Sequence, residues 1–253
     1  IENETETALD LSIPTYKPDV FREADVVEEV LRIYGFDKIP LPELLRTNTV
    51  YAPKPDKEKY LKTVSDFLVA NGLFEQQTIA ITRSKYVEEI FPDDNDRQVR
   101  LMNSLNAELD VMRTSMAFGG LETIRHNQNR QFSDLKLFEF GKIYFKNGDD
   151  YGEEEQVSIF LTGNHSSESW QEKQRAVTFY DLKQLVNQVL QRCGIDFFIA
   201  TPLEGNKLFD YGMEYGANGK VLARFGSIAQ NVRNYFDIKK EVFYAEIHWE
   251  EVL

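Results

Sequence analysis

The dipeptide Asn218-Gly219 restricts the fold of this chain more than any other two residues. A two-residue hairpin turn of the preferred hand needs positive φ at both central positions, and Asn followed by Gly meets that need best. The residues on either side, 213–217 and 220–225, are therefore predicted to pair antiparallel. An isolated hairpin is marginal in water, so further strands must join it. Period-two or β-rich patterns predict them at 74–82, 108–114, 135–145, 156–162, 197–200 and 242–248. An acidic stretch, 147–155, reads as the loop between the third and fourth of these. Gly212, Gly216 and Gly226 read as hairpin and bulge positions. Between the strands lie helical patterns at 57–71, 116–129 and 178–192. The first carries Tyr60, Leu61, Val64, Phe67 and Leu68 on one side and is stopped by Gly72. The third opens with Thr178-Phe-Tyr-Asp181, a helix-start pattern. Strands in succession with helices inserted define an α+β class with a mainly antiparallel sheet flanked by helices.

The first fifth of the chain differs from the rest. Residues 9–13 alternate as a strand, and Pro14 and Pro18 then hold the backbone extended. Residues 24–34 form a helix whose apolar face is Val26, Val27, Val30, Leu31, Ile33 and Tyr34, ended by Gly35. A stiff linker carrying Pro40, Pro42, Pro53 and Pro55 follows. The expected division is 1–45, the C-terminal part of a small acidic domain, and 46–253, a larger domain. The first residue is Ile rather than Met, which suggests a piece of a longer protein.

Charge narrows the function. The chain carries a net −13, and residues 1–45 hold 11 acidic and 4 basic side chains, a balance of −7. Such a surface repels nucleic acid. No apolar run approaches the roughly 20 residues of a membrane span. Cys193 is the single cysteine, so a disulfide within the chain and a cysteine-based zinc site are excluded. The lone thiol fits a reducing cytoplasm and reads as structural.

The acidic segment around Asp19, Asp25, Glu28 and Glu29 admits several readings. Asp25 and Glu28 fit a capped helix start, with Arg32 four residues after Glu28 to pair with it. Equally, Asp25 neighbours Glu28 and Glu29 on the helix surface, and Asp19 can fold back towards them. Clustered carboxylates without His or Cys suit magnesium or calcium. An interaction face is a third option. His126, His165 and His248 fall in different elements, and no Gly-x-Ser-x-Gly elbow or phosphate-binding glycine loop occurs. His126 reads as the solvated end of a helix.

Several motifs together carry a family likeness. They are Pro14-Thr-Tyr-Lys-Pro-Asp19, Asp25-Val-Val-Glu-Glu-Val-Leu-Arg-Ile-Tyr-Gly35 and Ile39-Pro40, followed by Asn106-Ala-Glu-Leu-Asp-Val-Met-Arg-Thr-Ser115. Leu121-Glu-Thr-Ile-Arg-His-Asn127, Leu137-Phe-Glu-Phe-Gly-Lys-Ile-Tyr144, Phe236-Asp-Ile238 and Phe243-Tyr-Ala-Glu246 continue it. The chain resembles, from about residue 9 to its end, the β subunit of bacterial phenylalanyl-tRNA synthetase. The resemblance implies the end of a small metal-binding domain followed by a class II synthetase-like antiparallel sheet. It implies a non-catalytic scaffold on the catalytic α subunit, in an (αβ)₂ heterotetramer that charges tRNA(Phe) with ATP. ATP would be used by the partner, and tRNA met mainly by other regions. It also implies a magnesium site shared with the α subunit, whose carboxylates match Asp19, Asp25, Glu28 and Glu29.

Departures bear on catalysis. The strand that carries an ATP-clamping arginine in catalytic class II enzymes ends here in Ile143-Tyr-Phe-Lys-Asn147. The stretch from Gly216 to Gly226, with Arg224, does not restore a second one convincingly. Without such cations, charge on a transferring phosphate has no partner. No catalytic residue is therefore assigned, and the chain alone is expected to be inactive. Met116-Ala-Phe-Gly-Gly120 also lacks a proline common there in the family. Two competing readings remain: a metal-dependent enzyme using the carboxylate segment, and an acidic interaction or nucleic-acid-binding module.

Overall fold

A computed structural model describes residues 1–253 except 6, 41–55, 105, 107, 167 and 172. The chain divides into two compact units, residues 1–53 and 54–253. The expected boundary between residues 45 and 46 and most of the proline linker lie outside the described residues.

The smaller unit pairs β1 (Asn3–Glu4) antiparallel with β2 (Leu9–Asp10) and continues into α1 (Glu23–Tyr34). The strand expected over 9–13 stops at Asp10, because β1 offers partners only to Leu9 and Asp10. Gly35 ends α1 with φ +101, and its N–H donates to the Leu31 carbonyl. No residue of α1 is buried. Its expected apolar face is largely open, with Ile33 90% exposed and only Val26 and Leu31 partly covered.

The larger unit is built on seven strands. In chain order its elements are α2 (Lys57–Ala70), β3 (Phe74–Glu75), β4 (Ile81–Thr82), α3 (Ser84–Ile90), β5 (Val111–Met112) and α4 (Ala117–Gln128). A long hairpin, β6 (Leu135–Asn147) and β7 (Asp150–Thr162), precedes α5 (Phe179–Arg192) and β8 (Ile199–Pro202). Then come β9 (Phe209–Ala217), β10 (Lys220–Ile228), α6 (Gln230–Tyr235), β11 (Val242–His248) and α7 (Trp249–Val252). The sheet runs β3-β6-β7-β11-β10-β9-β8, antiparallel throughout except for the parallel β3–β6 pair. Strands β4 and β5 form a separate two-stranded sheet. The sheet is thus mixed but mainly antiparallel, in an α+β unit.

Local chemistry accounts for the elements. Asn218 and Gly219 take φ 53 and 78, the positive values that the β9–β10 turn requires. At the start of α5, Asp181 accepts from the Thr178 N–H at 2.8 Å and its hydroxyl at 2.8 Å, and Arg175 adds two bonds at 2.7 Å. Arg175 leads in holding the Asp181 carboxyl far below the usual range. Residues 74–82 do not form one strand: β3 pairs with β6 while β4 pairs with β5. The acidic stretch 147–155 is not a loop either. Residues 150–155 pair with β6, since Lys142 stands 2.6 Å from Glu153 and Lys57 binds Glu155. The Lys142–Glu153 pair across the strands and the Lys57–Glu155 pair from α2 offset the poor strand propensity of acidic residues.

The two sheet faces differ. One face lies under α2 and α5, where Phe138, Ile159, Ala245 and Phe225 pack with Val64, Leu68, Leu182 and Val186. Helix α2 therefore spends its apolar stripe on its own sheet. Beyond it, Val69, Phe74 and Ile79 remain exposed. On the other face, Leu137, Phe160 and Tyr244 pack with Tyr86, Phe118, Leu121 and Val232 of α3, α4 and α6. Gly120 admits the Phe160 ring, since a Cβ there would stand 2.0 Å from its Cζ. This second apolar cap covers only part of its face. Cys193, just after α5, is partly buried, and burial pushes its thiol up to about 11, which suits a structural role. Among the described residues no helix is long and apolar enough to cross a membrane.

Candidate functional site

The acidic segment resolves into ion pairs. Asp25, in the first turn of α1, accepts from the N–H of Arg22 at 2.9 Å and of Phe21 at 3.2 Å. The Arg22 guanidinium adds a bond at 3.2 Å to the other oxygen. The backbone bond from Arg22 leads in lowering the Asp25 pKa. Asp25 thus fills the reaching-back role expected of Glu28, three residues earlier than anticipated. Glu29 binds Lys17 and, at 3.2 Å, Arg32; Arg32 was expected to pair with Glu28. The Lys17 bond leads in lowering the Glu29 pKa. Asp19 and Glu28 are exposed. Among the described residues no group of three or more His, Cys, Asp or Glu side chains is placed to hold a metal ion. With Asp25 and Glu29 engaged by cations and amides, the four carboxylates do not fit a self-contained magnesium site.

The larger unit places a second set of polar residues on the sheet face beyond the apolar cap of α3, α4 and α6. The pairing Glu139↔Ser158, Ser158↔Glu246, Glu246↔Arg224 and Arg224↔Glu214 draws one polar row across five strands. One step further along, Gln156 faces His248. Alternation puts all of these on one face. Glu139 is buried and satisfied by Arg113 Nη1 at 2.7 Å and Thr78 Oγ1 at 2.8 Å. Arg224 Nε donates to Glu214 at 2.7 Å.

A cavity of about 250 Å³ opens over this row, between the strands and a wall that includes Val87, Phe91 and Leu208. Glu154, Gln156, Arg224, Glu246 and His248 line its sheet side. Burial pushes the Glu154 carboxyl up, but the His248 bond and charge, with Gln156 and Arg224, outweigh this and leave it below the usual range. Burial raises the Glu246 carboxyl, and the charges of His248 and Arg224 only partly offset it. Arg224 lines the cavity, but paired with acids rather than as a free cation for a phosphate. Its guanidinium is shared between Glu214 and Glu246, the latter at 3.8 Å. The other cavity arginine, Arg97, stands 3.8 Å from Asp94. Sequence reading missed this set, although Arg224 and Glu246 each stand at one strand parity between apolar neighbours. His126 is exposed in the last turn of α4, as expected.

The fold is shared with solved structures of an aminoacyl-tRNA synthetase. Pyrrolysyl-tRNA synthetase from Desulfitobacterium hafniense matches with a TM-score of 0.61 and 12% identity, over 96% of this chain and 81% of that one. A second structure of that enzyme, PylSc, gives 0.59 and 16% over 79% and 68%. Such identities establish a shared fold alone. The chain belongs to the phenylalanyl-tRNA synthetase β chain family: the family's CLM domain matches residues 41–249 and the tRNA synthetase B5 domain matches residues 1–36. The phenylalanine–tRNA ligase β subunit of Bacteroides thetaiotaomicron is 34% identical over 100% of this chain and 32% of its own length. Those of Bacteroides fragilis and Thermotoga maritima are 35% and 29% identical, over 100% and 94% of this chain. The chain therefore spans about a third of the length of the curated relatives it matches.

Proposed function

We propose that this chain is the part of a phenylalanine–tRNA ligase β subunit that supports, without performing, the ATP-dependent charging of tRNA(Phe). Its class II-like sheet packs on a catalytic α subunit in a cytoplasmic (αβ)₂ heterotetramer, and ATP is held by that partner. The observation that carries this reading is the state of the two cavity arginines. Arg224 and Arg97 each have a carboxylate partner, and the cavity is lined by Asp94, Glu154 and Glu246. A nucleotide's phosphates need free cations, and here they would meet acids. The exposed Val69, Phe74 and Ile79 beside the β3 edge of the sheet suit a protein partner.

Magnesium belongs to the same proposal, at Asp19, Asp25, Glu28 and Glu29, with the site completed by the α subunit. Its support is the oxygen-only donor set and the exposure of Asp19 and Glu28. Cation binding would have to displace Lys17 or Arg22. In calorimetric titrations of the assembled protein, Asp19→Asn with Glu28→Gln should weaken magnesium binding at least tenfold; unchanged affinity removes these residues from the site.

The function is tested by reconstitution. Full-length β lacking residues 41–249 should fail to support charging of tRNA(Phe) by α, and this chain alone should form no aminoacyl-adenylate. Full charging by α without the region rejects the scaffold, and adenylate formation by the isolated chain rejects its inactivity.

A further inference from the structure

Three Asn-Gly dipeptides occur in the chain, at 71–72, 147–148 and 218–219. An asparagine amide is thermally labile, most of all before glycine, whose missing Cβ leaves its nitrogen open to the side chain. The fold treats the three differently. Asn71 caps the end of α2, where its Nδ2 donates to the Phe67 carbonyl at 2.8 Å and the Gly72 N–H to the Val69 carbonyl at 2.9 Å. The Asn71 N–H is held as well, by the Phe67 and Leu68 carbonyls at 3.1 Å each. Asn147 and Asn218 stand instead at two-residue hairpin turns, closed by the pairs Asn147↔Asp150 and Ala217↔Lys220. Both are exposed, and neither side chain makes a hydrogen bond with a described residue. The Gly148 and Gly219 N–H groups likewise donate to no described residue. Space does not separate the three sites, since no atom lies within 4 Å of where a Cβ would stand on Gly72, Gly148 or Gly219; the hydrogen bonds do.

The reaction needs a free backbone nitrogen and a free side-chain amide. The glycine N–H gives its proton to solvent hydroxide, and its nitrogen bonds to the asparagine Cγ. The Cγ–Nδ2 bond breaks, and the nitrogen takes up a proton from water and leaves as ammonia. A five-membered succinimide remains. Water then opens this ring: cleavage of the new N–Cγ bond gives aspartate, and cleavage of the original peptide bond gives isoaspartate. The balance is one water consumed and one ammonia released, with no oxidant or reductant. At Asn71 both reacting groups must first give up a hydrogen bond, whereas at Asn147 and Asn218 neither has one to give up. We propose that Asn147 and Asn218 are self-modification sites of the folded protein, converting to aspartate and isoaspartate, and that the α2 cap protects Asn71. Isoaspartate adds one main-chain carbon, which a two-residue turn between paired strands does not take up without losing register.

The test incubates the assembled full-length protein at pH 8.5 and 37 °C, beside a sample unfolded in guanidinium chloride. Each Asn-Gly peptide is followed by mass spectrometry, with electron-transfer fragmentation to tell isoaspartate from aspartate. In the folded protein the peptides holding Asn147 and Asn218 should gain the mass of amide-to-acid exchange at least tenfold faster than the one holding Asn71, as a mixture of both products. In guanidinium chloride, which opens the α2 cap, Asn71 should speed up at least tenfold and the contrast should disappear. Either turn site reacting no faster than Asn71 in the folded protein, or an Asn71 rate unchanged by the denaturant, overturns the proposal.

Discussion

Arg113 and Glu139 offer the sharpest test of how the larger unit is held together. Arg113 follows β5 directly, and Glu139 lies in β6; their side chains are 7% and 1% exposed. Arg113 Nη1 reaches Glu139 at 2.7 Å and the Thr78 hydroxyl at 2.8 Å, while its Nε donates to the Lys142 carbonyl at 2.7 Å. Thr78 in turn gives its hydroxyl and its N–H to Glu139. One guanidinium therefore ties the connection between β3 and β4, the end of β5, and β6. Arg113→Met fills similar space but supplies no donor and no charge. The Glu139 carboxylate would be left buried with Thr78 alone, a loss of about 3–5 kcal/mol. Adding Glu139→Gln removes the stranded charge and should restore about 1–3 kcal/mol. Urea unfolding reads both changes. In a Trp170→Phe background the signal comes from Trp249, since Trp170 is 94% exposed and Trp249 1%. With a slope on the order of 2–3 kcal/mol/M, the single variant lowers the midpoint by about 1–2 M. A loss under about 1 kcal/mol, or a double variant less stable than the single, would show that an uncompensated charge is not what the arginine prevents.

Other substitutions test individual contacts. Gly120→Ala sets helix propensity, about 1 kcal/mol in favour of Ala, against a Cβ 2.0 Å from the ring of fully buried Phe160. Overpacking of about 1–3 kcal/mol should win, and a raised thermal midpoint would contradict this. Asp181→Asn should destabilise by about 1–3 kcal/mol at pH 7 through the lost charge on Arg175 and Thr178. The folded Asp181 pKa is depressed, so its contribution is full above the unfolded value near 3.8 and disappears as pH falls through the folded one. Wild type and variant should therefore converge in acid, and a gap equal at pH 2.5 and pH 7 refutes the assignment. Glu246 behaves oppositely, because its folded pKa is raised: the wild type loses stability as pH climbs past the unfolded value near 4.5. Glu246→Gln should match the wild type near pH 4 and exceed its thermal midpoint at pH 7; a midpoint below wild type at pH 7 would show the buried carboxylate to be supported.

What was legible in the sequence is what short-range chemistry decides. The Asn218-Gly219 turn, the β11 strand, the Gly35 stop and the Asp181 start all follow from a few adjacent residues. Residues 150–155 were misread as a loop because their acidic run has low strand propensity; Lys142 and Lys57, remote in sequence, reverse the balance. Helices α3 and α6 are seven and six residues long, too short for a periodic signal, and they exist because Tyr86, Val87 and Val232 pack into the core. The four carboxylates near the start were legible as a group, but their partners were not. The fold assigns Lys17 to Glu29 and Arg22 to Asp25.

The polar row shows why register matters more than composition for the candidate site. Glu139, Ser158, Arg224 and Glu246 are isolated polar residues in otherwise apolar strands, and alternation alone puts each opposite its apolar neighbours. A shift of one residue in any strand would send its member to the α2–α5 face and break the row. Once the register is fixed, the charges sort themselves. Glu139 takes Arg113, and Glu214 takes Arg224. Glu246 remains with a second-hand share of Arg224 and a carboxyl raised by burial. A buried carboxylate in that position works against folding, since its charged form lacks full compensation. With Arg224, it also lines the cavity. The row is therefore least satisfied at Glu246, on the wall of the cavity, where burial outweighs a shared arginine.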